Sequence, residues 1–345
     1  MVQSELFGCI GEKEIRKYTM TNSNGMKVSC ISYGAKLTEI FVKDKQENLS
    51  NVLLGFDNLD SYLKDRSMFL GAAIGRVGGR IAKGKFQIKD NLYKVPTNEG
   101  ENTLHGGENG FDTLIWNSEV VESKDDTSII FYRTITSEED GFPANLQVKI
   151  IYTLNNKDEV LITFKGISDD YTLFNPTIHS YFNLNNDFSK LLSGHTLQIN
   201  ADNYTELADD LVPTGKLNDV SETPLDFREQ KDLSQAIEDV KRHFKISGID
   251  HPFKVDNSGN IATLINHETG RRLDIESNRN GLVVYTLNVV DQIWKVQNKK
   301  VLPEFGVALE AQTLPDSIHH KNFGDIVLKP NKEEEYYIKY KFNIV

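Results

Sequence analysis

The sequence predicts an all-β protein built as one large antiparallel domain over residues 1–345, with few short helices, and three observations predict it. Apolar and polar residues alternate with period two over most of the chain, the mark of half-buried strands. Strand signals recur at short spacing from end to end with no alternation of strands and helices, which argues against a parallel α/β sheet. No Pro- or Ser-rich linker divides the chain and no fixed-period repeat is present, so one domain is the economical division. The composition agrees: 18 Phe and 13 Tyr, within 39% apolar residues, favour strands and supply a sizeable core.

The elements follow in order. Residues 26–33 (MKVSCISY), 37–43 (LTEIFVK) and 128–134 (SIIFYRT) alternate as strands. Residues 145–154 (NLQVKIIYTL) and 159–166 (EVLITFKG) alternate too, and the turn-forming NNKD at 155–158 joins them as a hairpin. Residues 262–277 read as another hairpin turning at His267–Gly270, and DIVLKP and EYYIKYKFNIV close the chain with two more strands. Helical spacing is clear only at 231–243, where Leu233, Ala236, Ile237 and Val240 share one face. Residues 58–65 (NLDSYLKD) suggest a second, shorter helix.

Charge and cysteine content narrow the function classes. Lys plus Arg number 39 against 50 Asp plus Glu, a formal charge of −11 that repels nucleic-acid phosphates and anionic lipid. A neutral small molecule remains compatible as partner. Cys9 and Cys30 are too few for a disulfide framework or a thiolate metal cluster. The first residues show no signal-peptide core, and no run approaches the roughly twenty apolar residues of a membrane span. A reducing, cytoplasmic setting is the expectation.

Five stretches break the strand pattern with polar groups: 75–84 (GRVGGRIAKG), 98–112 (NEGENTLHGGENGFD), 175–185 (NPTIHSYFNLN), 248–253 (GIDHPF) and 308–316 (ALEAQTLPD). They offer Arg80, His105, His179, Asp250 and Glu310. Alternation puts His179 and Tyr181 on one face of a strand, where the imidazole is either a satisfied core histidine or a general acid or base. Gly106 and Gly107 after His105 permit a turn that brings its ring close to a ligand, or simply a turn. Val307, Leu309 and Ala311 point one way and Ala308, Glu310 and Gln312 the other. If that second face is buried, Glu310 is costly to keep charged without a partner; if it is solvated, Glu310 is an ordinary strand residue. Asp250 fits an Asx-type turn as well as a ligand contact, and Arg80 fits a surface ion pair. Metal binding is a further option, but His105, His179 and Glu310 show no short ligand spacing such as HExxH, and no phosphate-cradling glycine loop is present.

Taken jointly and in this order, GRIAKG, NTLHGGENGFD, NPTIHSYFNLN, GIDHPF and LEAQTLPD resemble the aldose 1-epimerase (galactose mutarotase) family from about residue 70 to the C-terminus. The resemblance implies a large β-sandwich, the galactose mutarotase-like supersandwich, and interconversion of the α and β anomers of a free aldohexose without metal or cofactor. It implies Glu310 as the general base at the C1 hydroxyl and His179 as the general acid at the ring oxygen. Arg80 and His105 match positions that contact the sugar near the ring oxygen and C1, and Asp250 matches one that accepts from sugar hydroxyls. Phe182, Tyr285 and Trp116 are candidates for an apolar wall, each with core packing as the alternative. Two departures bear on sugar preference: Gly79 stands where some members carry Asn, and GLVVYTLN lacks a Gln that some members have. Alternatives are the reducing end of a disaccharide, a hexose 6-phosphate, or a carbohydrate-binding domain without catalysis. A monomer or homodimer is expected.

Overall fold

The alternation resolves into two large antiparallel sheets and a smaller N-terminal one, in a computed structural model that describes residues 1–65, 67–256 and 259–345. The largest sheet has nine strands in the spatial order Asn117–Glu122, Asp126–Ile135, Leu146–Asn155, Glu159–Ser168, Glu334–Ile344, Arg271–Ser277, Asn260–Asn266, His195–Ile199 and Lys231–Asp232. The second has six: Tyr181–Phe182, Val307–Gln312, Gly281–Tyr285, Asp250–Lys254, Asn203–Leu207 and Pro213–Asp219. The first five strands, Val2–Ile10 to Leu49–Asn51, form a sequential meander. Ile129, Ile150 and Ile162 of the nine-stranded sheet, Leu282 and Leu309 of the six-stranded sheet, and Val28 and Ile40 of the meander are all buried in one apolar cluster. The sheets therefore pack face to face as a β-sandwich.

The expected hairpins form. NNKD joins two strands paired from Leu154↔Val160 to Leu146↔Ser168, and the turn at 267–270 ends on Gly270, whose φ is +74°. Both helices form as well. Leu233–Phe244 starts on Asp232, whose carboxylate accepts the Gln235 N–H, and buries the face of Leu233, Ala236, Ile237 and Val240. Leu59–Lys64 is capped by Asn58. A third helix, Ser137–Asp140, is too short to leave a periodic signal. No helix among the described residues is long and apolar enough to cross a membrane.

Strand alternation separates adjacent arginines at 271 and 272. Arg272 turns outward to Asp274, whereas Arg271 is buried and donates to the main-chain carbonyls of Val42, Lys43, Asn48, Leu184 and Asn185 at 3.1 to 3.3 Å. One guanidinium thus ties the N-terminal meander and the NPTIHSYFNLN segment to the nine-stranded sheet. Arg271→Ala strips these carbonyls of their donor, and we expect a loss of about 3–5 kcal/mol of unfolding free energy in urea titration. A loss below about 1 kcal/mol would mean that water replaces the guanidinium.

Candidate active site

Two strands bring the acid and base candidates together. His179 ends the short strand Thr177–His179, which pairs with Ala72–Ile74. Glu310 lies in Val307–Gln312, flanked by Tyr181–Phe182 and Gly281–Tyr285. Val307, Leu309 and Ala311 enter the core. The opposite face is buried too, and Glu310 and Gln312 line a cavity from it. His179 Nε2 stands 3.3 Å from Glu310 Oε1.

The NPT of NPTIHSYF explains how the two strands are held. Asn175 Oδ1 accepts the Thr313 N–H at 3.0 Å while its amide donates to the Thr313 carbonyl at 3.0 Å. Thr177 Oγ1 donates to the Ala311 carbonyl at 3.0 Å. Arg279, buried against the ring of Tyr336, donates to both Asn175 Oδ1 and Thr313 Oγ1. The end of the Glu310 strand is therefore fixed to the start of the His179 strand.

His105 sits in a run of three left-handed residues, with φ of +52°, +87° and +85° at 105, 106 and 107. A Cβ on Gly106 would lie 2.0 Å from the Gly75 carbonyl oxygen, so the turn requires glycine there. His105 Nδ1 accepts the Gly79 N–H at 3.2 Å, which leaves the proton of the neutral ring on Nε2. Its ring centre is 5.3 Å from that of His179, edge to face. Asp250 is the first residue of a strand, opposite Tyr285, rather than a corner former. Arg80 makes a bidentate pair with Glu99 at 2.5 and 2.8 Å, so the ion-pair reading holds even as Arg80 lines the cavity.

Arg80, His105, His179, Asp250 and Glu310 all line one cavity of about 840 Å³. Of the three aromatics expected as its wall, only Tyr285 lines it. Phe182 packs on Tyr340, and Trp116 packs on Phe111 and donates from Nε1 to the Phe111 carbonyl; both belong to the core. The aromatic lining comes instead from Phe69, Tyr204 and Phe244, which lie outside the motifs. Gln312, two residues beyond Glu310 on the same face, was within reach of the alternation argument; its buried amide has no protein partner among the described residues. The departures have structural counterparts. A Cβ on Gly79 would come within 2.8 Å of the Pro315 ring, and Val283, paired with Glu310, lines the cavity within the stretch that lacks the Gln.

Electrostatics set the protonation of this group. Burial pushes the Glu310 carboxyl well above its ordinary range; Asp250 adds to this and Arg80 opposes it. Burial also lowers His179 to about 3, with Lys36 adding to the effect. His105 is held well below its ordinary value by burial, then by His179 and Arg80. These directions favour a protonated Glu310 carboxyl beside a neutral His179. Donor atoms of His105, His179 and Glu310 all lie within 4.8 Å of one another, a spacing that could also hold a metal ion.

A family profile described as aldose 1-epimerase matches residues 16–341. The chain belongs to the aldose 1-epimerase family. These are enzymes of the isomerase class. The chain is 37% identical to the aldose 1-epimerase of Streptococcus thermophilus over 99% of its own length and 98% of that protein's. It is 33% identical to the maltose epimerase of Levilactobacillus brevis, covering 97% of each chain. The crystal structure of galactose 1-epimerase from Lactobacillus acidophilus NCFM superposes with a TM-score of 0.88 at 26% identity, covering 100% of this chain and 99% of that one. Within this aldose 1-epimerase fold, the five motif residues converge although more than two hundred positions separate Arg80 from Glu310.

Asp250 offers a test of the cavity's electrostatics. Burial raises its carboxyl to about 6, with Arg80 opposing and Glu99 adding. The folded state therefore holds this proton more tightly than the unfolded chain does, and stability is lost as pH rises from about 4 through about 6. We expect Asp250→Asn to unfold at a higher temperature than the native protein near pH 8 and to show no gain near pH 4. Equal melting temperatures near pH 8 would contradict a disfavoured carboxylate.

Proposed function

We propose that the chain interconverts the anomers of a free aldohexose, with Glu310 and His179 as its proton-transfer pair and Arg80, His105 and Asp250 as its sugar contacts. The observation that carries this reading is the 3.3 Å approach of Glu310 and His179 within a cavity that also holds the other three. In the reactive arrangement the carboxyl proton has moved to His179 and leaves Glu310 a carboxylate, the form that Arg80 favours. Glu310 takes the proton from O1 while His179 delivers one to the ring oxygen; the C1–O5 bond breaks and C1 becomes an aldehyde. After rotation about C1–C2, O5 returns its proton to His179 as it closes on the other face, and the new O1 recovers one from Glu310. Protons are the only species exchanged, so the reaction needs no metal or cofactor, and dialysis against a chelator is expected to leave the rate unchanged.

A neutral sugar also suits the net charge of −11, which repels nucleic acid and anionic membranes. Cys9, exposed, and Cys30, buried, are both free, as suits a reducing cytoplasm. A hexose 6-phosphate suits the site less, because among the described residues Glu99, Glu206, Asp209, Asp250 and Glu310 line the cavity against Arg80 and Lys245 as cations.

The cavity's size supports a second reading, the reducing end of a disaccharide. Even if each non-hydrogen atom of a hexose took the volume of a water molecule, about 30 Å³, the sugar would fill roughly 360 Å³. That is under half of the 840 Å³ present. The relative named as a maltose epimerase is in line with it.

Polarimetry on freshly dissolved α-D-galactose, α-D-glucose and maltose tests both readings. The native protein is expected to accelerate mutarotation, and Glu310→Gln and His179→Asn are each expected to lose about 10²–10⁴-fold while remaining folded. Sugar binding in calorimetry without acceleration would instead describe a binding domain, and full activity in either variant would remove the assigned roles.

A further inference from the structure

Phe69 belongs to none of the five motifs and to no strand, yet it lines the cavity. Its φ is +54°, in the left-handed region where any side chain costs about 1–2 kcal/mol and a bulky aromatic is a real outlier. Two residues on, the chain uses glycine for the same purpose: Gly71 has a φ of +61°, and a Cβ there would lie 1.8 Å from the Leu37 carbonyl oxygen. At position 69 a phenyl is kept despite the cost. Strain of this kind persists only where the surroundings enforce it, and it concentrates at ligand sites.

The surroundings do enforce it. The Ala72 N–H donates to the Phe69 carbonyl at 3.0 Å, the Gly71 N–H to the His179 carbonyl at 2.9 Å, and the Leu37 N–H to the Gly71 carbonyl at 2.8 Å. The turn that carries the ring thus hangs from the backbone of His179. The ring centre lies 4.9 Å from that of His105, edge-on, and 5.8 Å from that of His179, with planes 30° apart. Phe69 is half-buried. Tyr285, which also lines the cavity, stands edge-on to His179 at 76°.

A hexose presents polar groups around its edge and C–H bonds on its faces. Glu310 and His179 act on the edge, at O1 and O5, and a face needs an apolar wall beside them. We propose that Phe69 is the platform for the C–H face of the hexose ring, a specificity-determining contact held ready by its left-handed backbone. This rests on the epimerase reading of the site. A platform binds ground state and transition state alike, so its loss falls on KM rather than on kcat.

The test compares Phe69→Ala, Phe69→Gly and Phe69→Tyr with the native protein, by polarimetry and by calorimetric binding of galactose. Alanine is expected to raise KM about tenfold and leave kcat within about twofold, and tyrosine to restore KM. Glycine relieves the backbone, so it provides a folded variant without the ring if alanine fails to fold, and it is expected to show the same rise in KM. A fall in kcat with KM unchanged would overturn the proposal, since the ring would then act on the imidazoles and not on the sugar. If the native protein binds galactose without accelerating mutarotation, the epimerase reading fails alone. The roughly tenfold weaker binding expected of the ring-deleted variants then supports the platform, and equal binding overturns it. A native protein that binds no galactose overturns both.

Discussion

Two groups that burial drives to neutrality, the Glu310 carboxyl and the His179 imidazole, stand 3.3 Å apart at the wall of the cavity. In water a carboxylate and an imidazole at neutral pH would leave the proton to solvent. Here burial favours the protonated carboxyl and the neutral imidazole, because each group is costly to ionise where it is buried. Anomer exchange needs one proton removed and another delivered at neighbouring oxygens, and under the proposed function this carboxyl and imidazole are the two groups that do so. Arg80 opposes the rise of the Glu310 carboxyl and is itself paired with Glu99.

Keeping this contact demands that two short strands from distant parts of the chain hold their register. Asn175 and Thr177 bond to Thr313 and Ala311, and Arg279 locks Asn175 to Thr313 from behind. Arg271 performs a related task at the other end of the motif, bonding the carbonyls of Leu184 and Asn185 to the sheet. Neither arginine lines the cavity. Arg271 is satisfied by main-chain oxygens, whereas Arg279 bonds two neutral side-chain oxygens through Nη2 alone and lays the rest of its guanidinium over the Tyr336 ring.

Much of this was legible in the sequence, for physical reasons. Period-two alternation marks any strand with one buried face, so strands such as Leu146–Asn155 and Glu159–Ser168 and both hairpins could be read, while Val2–Ile10 and Lys13–Thr21 were not. The helix at 233–244 showed because its buried face repeats over three turns; Ser137–Asp140 offers no repeat. The five polar motifs located the cavity, yet alternation could not say whether the Glu310 face met water or a cavity. The apolar wall was the least legible part. An aromatic in a β-rich chain reads alike in the core or at a site, so Phe182 and Trp116 were indistinguishable from Tyr285. Phe69 was hidden because its backbone conformation leaves no trace in residue type.

The most direct test of Glu310 and His179 as the proton-transfer pair is a crystal soaked in galactose. The account predicts a sugar with O1 within hydrogen-bond distance of Glu310, its ring oxygen within hydrogen-bond distance of His179, and Asp250 accepting from a ring hydroxyl. A galactose bound in the cavity with Glu310 and His179 still paired to each other, and neither touching O1 or O5, would contradict it.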